Sequence, residues 1–255
     1  MKARIVYLSH GGGPLPLLGD ALHEHMVQFL RELGTTLPRP KAIVVISAHW
    51  EETLPTLTSA ADPPMLYDYY GFPREAYTIS YPASGAPLLA ERIAKLLGTA
   101  HLDDTRGFDH GMYVPLTLLY PDASIPTIQL SLLSSLSAKG HYEMGEALRP
   151  LLEEEILFIG SGFSFHNMRQ FWKEDDEQNL TFQQFLIDTC TQQRDEEQRK
   201  RTLLDWEAAP FARYCHPREE HLLPLHVCQG LAGEQAQLVF DKPILKRKSV
   251  AFLWS

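Results

Sequence analysis

Histidine gives this sequence its reactive chemistry. Of the 255 residues 11 are histidine, and several stand where a site would be built. His10 follows the apolar run RIVYLS (4–9), and His49 follows AIVVISA (42–48). His166 lies six residues beyond EILFIG (155–160), within GSGFSFHNM. Short apolar runs of this kind read as buried strands. In open α/β sheets the crevice beyond the carboxyl ends of the strands is where sites form. Taken singly, each histidine has an ordinary reading as a hydrogen-bonded structural residue. Three imidazoles delivered to one sheet edge by three strands point instead to a shared site.

Two further clusters hold histidine. His110 stands beside Asp109 in GFDHG (107–111), ahead of an apolar helix. His221 opens the apolar stretch of HPREEHLLPL (216–225), with His216 upstream and Glu219 and Glu220 adjacent. His23 and His25 fall within an amphipathic helix and His101 in a polar loop, so these read as structural or surface residues. Gly11, Gly12 and Gly13 leave room around His10 for a metal and a ligand, and they equally suit a tight strand-to-helix turn. Trp50 offers an aromatic wall beside His49.

Neutral imidazoles suit zinc, iron and copper, and the absence of a CxxC pair argues against a thiolate site. Two or three histidines, with or without a carboxylate from Glu219 or Glu220, would leave coordination positions open, the mark of a catalytic rather than a structural metal. A further histidine outside the coordination sphere would serve as acid or base near neutral pH. A serine hydrolase is disfavoured. HGGG resembles an oxyanion-hole segment, yet no GxSxG exists, and GSGFS (160–164) does not match it. Cys190 and Cys215 lack the surroundings of a nucleophile, and neither a phosphate loop nor GxGxxG occurs.

These residues need a frame. Strands are expected at 4–9, 42–48, near 76–80, 126–131, 155–160, 237–240 and 249–254. Helices are expected at 20–33 (capped by Asp20, stopped by Gly34), 87–97, near 112–119, 138–152 and 180–206. Apolar strands without clean alternation, separated by helices, predict an α/β fold. Its central sheet is mixed and largely parallel, with helices on both faces, in a single domain over 1–255. The charge-dense run 192–201 reads as a solvated helix face. With 44% hydrophobic and 22% charged residues the composition is that of a globular protein, and the net charge of −9 disfavours a nucleic-acid partner. No apolar run is long enough to cross a membrane, and the N-terminus does not read as a secretory signal. Three cysteines are too few for a disulfide scaffold, so the cytoplasm is the expected location.

HGGGP after the first strand, SAHW after the second, then GFDHG, GSGFSFHN and HP-x-x-EH-x-x-P occur in an order that resembles the LigB-type (class III) extradiol ring-cleavage dioxygenases. The 4,5-DOPA dioxygenase branch is the most similar, and the likeness spans the chain from His10 to the last strand. It implies a mononuclear non-haem metal, Fe(II) for activity, with Zn(II) acceptable in the purified protein. It implies His10, His49 and His221 as metal ligands, His166 as the acid–base residue and His110 as a substrate-facing neighbour. Many extradiol enzymes use two histidines and a carboxylate, which leaves Glu220 as the rival for the third position; the DOPA branch favours His221. The expected reaction is cleavage of a catechol, DOPA among them, with O2 to a muconic semialdehyde, by a monomer or small homo-oligomer. A zinc hydrolase using the same ligands and a non-catalytic metal-binding interaction protein are the rival readings. The tyrosine-rich loop 65–74 and YPASGAP (81–87) are candidate pocket walls, and Arg74 and Arg106 candidate partners for a substrate carboxylate.

Overall fold

The apolar runs become the centre of an eight-stranded mixed sheet in the computed structural model, which describes residues 4–173 and 177–255. In chain order the elements are β1 (Arg4–Ser9), α1 (Glu24–Thr36), β2 (Ala42–Glu52), β3 (Thr56–Thr58), α2 (Pro87–Leu97), β4 (His101–Asp103), α3 (His110–Leu119) and β5 (Thr127–Leu133). There follow α4 (Ala138–Ala147), β6 (Ile156–Gly162), α5 (Glu177–Ile187), α6 (Glu196–Leu204), α7 (Ala212–Cys215), α8 (Leu223–Ala232), β7 (Gln237–Ile244) and β8 (Arg247–Trp254). The strand order is β4-β3-β5-β2-β6-β1-β8-β7. The inner strands β5, β2, β6 and β1 run parallel, whereas β3 on β5, β8 on β1 and β7 on β8 are antiparallel. The mixed, largely parallel sheet is therefore as expected.

Burial explains why the inner strands lack alternation. Ile43, Val44, Val45 and Ile46 are all fully buried, as residues are when both faces of a strand are covered. Each contributes at most about 1.5–3 kcal/mol by leaving water. Successive residues of β6 show the two coverings. A Cβ at Gly160 or Gly162 would strike the start of α8, while Ser161 between them donates to the Gly111 carbonyl of α3. Side chains alternate across a strand, so α8 and α3 lie on opposite faces. Because β6 sits between β2 and β1, the carboxyl ends of these three strands are neighbours.

Several expectations need correction. The segment 76–80 is not a strand; Arg74–Thr78 forms a 3₁₀ turn after Pro73, inside the tyrosine-rich loop. Asp20 does cap, but it caps a 3₁₀ turn (Ala21–His23) that leads into α1. Gly34 does not stop that helix, which runs to Thr36 and ends ahead of Pro38. Glycine is required there because a Cβ would lie 2.1 Å from the Leu119 carbonyl oxygen. The helix expected at 138–152 ends at Ala147, with a 3₁₀ turn following. The one expected at 180–206 is broken: α5 ends in a π turn, and Asp195 caps a new start for α6. The charged run thus straddles a break, and its Arg199 is buried, donating to the carbonyls of Gln193 and Gly233. The short strands β3 and β4 were unforeseen, and His101 belongs to β4 while remaining exposed.

Candidate metal centre

Each site histidine arrives by a distinct local device. His10 follows β1 directly, and its backbone N–H continues the pairing by donating to the Gly162 carbonyl at 3.1 Å. His49 does not follow its strand, as expected, but lies inside it. Pairing of β2 with β5 holds at Ile46–Leu130 and resumes at Glu51–Leu132, so Ser47–Trp50 bulge opposite Ser131. Such a bulge re-aims side chains, here His49. His221 does not open a helix either: it stands in the turn before α8, its carbonyl accepting from the Phe163 N–H (3.0 Å) and the Tyr7 hydroxyl (3.1 Å). A Cβ at Gly162 would come within 2.1 Å of that carbonyl, so the glycine permits the approach. His110 is the first residue of α3, and its N–H donates to Asp68 Oδ1 at 3.0 Å.

The Nε2 atoms of His10 and His49 are 3.0 Å apart, and those of His221 and His49 3.3 Å. The opposite nitrogens of His10 and His221 are hydrogen-bonded, and that of His49 faces a carboxylate. Ser161 uses its hydroxyl hydrogen on the Gly111 carbonyl, so at 3.0 Å it accepts from His10 Nδ1. His221 Nδ1 donates to Glu220 Oε1 at 2.9 Å, and His49 Nδ1 faces Asp68 Oδ2 at 3.7 Å. A proton fixed on Nδ1 leaves the lone pair on Nε2. Three lone pairs thus meet in a buried space, an arrangement that a cation relieves. Burial, reinforced by the neighbouring imidazoles, holds His10 and His221 well below the ordinary histidine range. Burial and His110 do the same to His49, against the opposing pull of Asp68. The three are therefore neutral donors at physiological pH, as a metal ligand must be.

Two other groups also bring donor atoms within 4.8 Å of one another: His49, Asp68 and His110, and His166, Glu220 and His221. In both, the carboxylate already accepts from imidazole. His110 Nδ1 lies 2.8 Å from Asp68 Oδ1 and His166 Nδ1 3.1 Å from Glu220 Oε1. Glu220 therefore serves two histidines, whose rings stack with centroids 3.4 Å apart. Burial opposes ionisation of Asp68 and Glu220. The hydrogen bonds and charge of His110 on the one, and of His166 on the other, outweigh it and hold both below the ordinary carboxylate range. Among the described residues the trio His10, His49 and His221 brings three imidazole Nε2 atoms together with no carboxylate already spent on an imidazole, so it fits a metal ion best.

The cavity above the trio has a volume of about 350 Å³. His110 and His166 line it, together with the glycines 11–13, Tyr69, Phe72 and Phe163. The structure thus brings together all five histidines singled out in the sequence. Gly11 and Gly13 take φ of +84° and +58°, so the glycine run makes the tight turn as well as the space. His23, read as structural, accepts from the Gly12 N–H at 3.0 Å and clamps that turn. Asp68 and Ser161 went unforeseen; Asp68, isolated among tyrosines in LYDYY, was the available signal. Arg106 is committed to Asp109 (3.1 Å) and the Trp50 ring (4.4 Å), and Arg74 is exposed outside the cavity. The tyrosine-rich loop supplies cavity wall through Tyr69 and Phe72, whereas YPASGAP supplies none.

The chain matches the family described as "Catalytic LigB subunit of aromatic ring-opening dioxygenase" over residues 6–251. It is 40% identical to the 4,5-DOPA dioxygenase extradiol of Escherichia coli (strain K12), covering 97% of this chain and 92% of the relative. Identity to "Dioxygenase tasH" of Hapsidospora irregularis is 39%, over 92% of this chain and 80% of that one. The 4,5-DOPA dioxygenase extradiol of Beta vulgaris is 40% identical, over 91% and 87%. A solved structure of an uncharacterized Escherichia coli K12 protein superposes with a TM-score of 0.81, at 32% identity and 99% coverage of both chains.

Proposed function

Since the chain belongs to the LigB family of aromatic ring-opening dioxygenases, and so is an extradiol ring-cleavage enzyme, we propose that it opens catechols at a mononuclear Fe(II) held by His10, His49 and His221. The observation that carries this reading is the convergence of three Nε2 atoms, at 3.0 and 3.3 Å from one another in the order His10, His49, His221. Glu220, the rival third ligand, is occupied by His166 and His221 and acts as their common anchor. Fe(II), if held there, would bind the catechol oxygens and dioxygen together and pass electrons from the catechol to dioxygen. Zn(II) would suit the same neutral donors, so a purified sample could carry it.

The chain's own residues do the rest. His166 is the acid–base residue: Glu220 fixes its Nδ1, which leaves Nε2 to take a proton from a catechol hydroxyl. It returns that proton during O–O cleavage, and both oxygen atoms end in the ring-opened semialdehyde. His110, anchored through Nδ1 to Asp68, lines the cavity and orients the substrate. Phe72, Phe163 and Tyr69 keep water from the ring. The buried thiols of Cys190, Cys215 and Cys228 accord with a reducing cytoplasm.

The test is anaerobic reconstitution with Fe(II), addition of a catechol and admission of O2. The expected outcome is a yellow ring-fission product with one O2 consumed per catechol. Ester or amide hydrolysis by the zinc form without O2 would replace this reading with a hydrolase. Tight metal binding with neither activity would replace it with a metal-binding interaction role.

A further inference from the structure

We propose that the cavity selects catechols carrying a neutral, apolar ring substituent, and that Leu245, Met168 and Trp172 form the wall that makes the choice. This rests on reading the site as a catechol dioxygenase. A cavity of about 150 Å³ is enough for a bare benzene ring. This cavity, at about 350 Å³, is more than twice that size, which leaves space beyond the ring for a substituent. Beyond the histidines, that space is bounded by Leu15, Phe72, Met168, Phe171, Trp172 and Leu245. Among the described residues no Lys, Arg, Asp or Glu lines it. An amino-acid or carboxylate substituent would lose its hydration there without gaining a charged partner.

Two independent observations point to a ligand-contacting wall. The first is exposure: Met168 and Trp172 stand 67% and 64% exposed at the cavity mouth, large apolar side chains presented to water beside a site. The second is backbone strain. Leu245 and Lys246 form the two-residue turn between β7 and β8, at φ of +51° and +66°. Such turns favour Asn-Gly, because ordinary side chains resist positive φ. Strain of this kind persists where surrounding structure enforces it, and it clusters at ligand clamps. Here the Leu245 N–H donates to the Leu22 carbonyl at 3.1 Å, and its side chain reaches the cavity beside Gly12.

The test is anaerobic titration of the Zn(II)-loaded enzyme with catechol, DOPA and 4-phenylcatechol, which reads binding without turnover. We expect 4-phenylcatechol to bind at least roughly ten-fold more tightly than DOPA. The double variant Leu245→Asn with Lys246→Gly relieves the strained turn. It should raise Tm while cutting that preference several-fold; Trp172→Ala should cut the preference without raising Tm. DOPA binding as tightly as 4-phenylcatechol, while catechol itself binds, overturns the selectivity and leaves the dioxygenase reading intact. A preference that survives in both variants overturns the assignment of the wall. Failure of all three compounds to bind overturns the catechol site itself.

Discussion

His23 and His141 are buried as deeply as His10 and His221, yet they belong to a different kind of region. In the first pair both ring nitrogens are spent on the protein. His23 lies against Asp20 at 2.8 Å and accepts from Gly12; His141 donates to the Ser137 carbonyl at 2.7 Å and accepts from the Leu133 N–H at 3.0 Å. In the site pair one nitrogen is anchored and the other meets only further imidazoles. Burial lowers the proton affinity of all four. Burial therefore does not mark function, and neither does a single unpaired nitrogen, since His216 and His226 each bury one; the convergence of several such nitrogens on one another does.

The sharpest way to break this distinction is to delete both kinds of histidine. His10→Ala, His49→Ala and His221→Ala should each cost more than the roughly 10–100-fold in metal affinity typical of losing a supporting neighbour. Their folds should persist. His23→Ala should keep its metal yet lose about 1–3 kcal/mol, because the Gly12 N–H is left unpaired. Metal content and denaturant midpoints on the four variants decide it. If Glu220→Gln loses the metal and His221→Ala does not, the third ligand is the carboxylate.

His166 tests the division inside the site. Anchored to Glu220 and stacked on His221, it stands beside the trio without joining it. His166→Ala should keep its iron and still bind catechol, while turnover falls by roughly 10²–10⁴. Iron content and a single-turnover rate on one preparation check this. A metal-free variant would make His166 a ligand, and a fully active one would remove it from the mechanism.

The histidines were legible because each stands beside a signal in the sequence: an apolar run and a glycine run for His10, an apolar run for His49, a DHG triplet for His110. Their partners were not. Asp68 lies in a loop without periodicity and reaches His110 across a sequence separation of 42 residues. Ser161 lies just past the strand expected at 155–160, in a GSGFS segment that matches no nucleophile motif, and only the placement of α3 gives its hydroxyl a role. The fold shows the same split. Long apolar strands were evident, whereas β3 and β4, each three residues long, carry too little pattern to register. The break between α5 and α6 depends on Asp195 as a cap and on carbonyls held by Arg199, which periodicity does not encode.

Asp68 sharpens the comparison from the unforeseen side. One carboxylate approaches both a proposed ligand, His49, and the residue proposed to face the substrate, His110. Asp68→Asn keeps the shape and removes the charge. Metal affinity should fall by about ten-fold, the lower end of the range for such neighbours. Competition against a chromogenic chelator measures it. An unchanged affinity would mean that the 3.7 Å approach to His49 contributes nothing.

The smallest expected effect lies in the structural histidines and appears as a pH dependence. Burial pushes His141 down from 6.5 to about 4. Below its ordinary value the unfolded chain binds a proton that the folded chain refuses. The stability this group contributes is therefore complete above pH 6.5 and lost progressively as pH falls toward 4. The loss approaches about 1.4 kcal/mol per pH unit, so by about pH 5.5 it amounts to roughly that much. His216, lowered to about 3, adds to the same slope. His141→Gln should be less stable at neutral pH, since the ring's two hydrogen bonds are disturbed. Its stability should nonetheless fall less steeply on acidification than that of the unaltered chain. Denaturant midpoints between about pH 7.5 and 5.5 on both proteins check this. Parallel slopes would mean that His141 titrates alike in the folded and unfolded chains, and that burial does not keep it neutral.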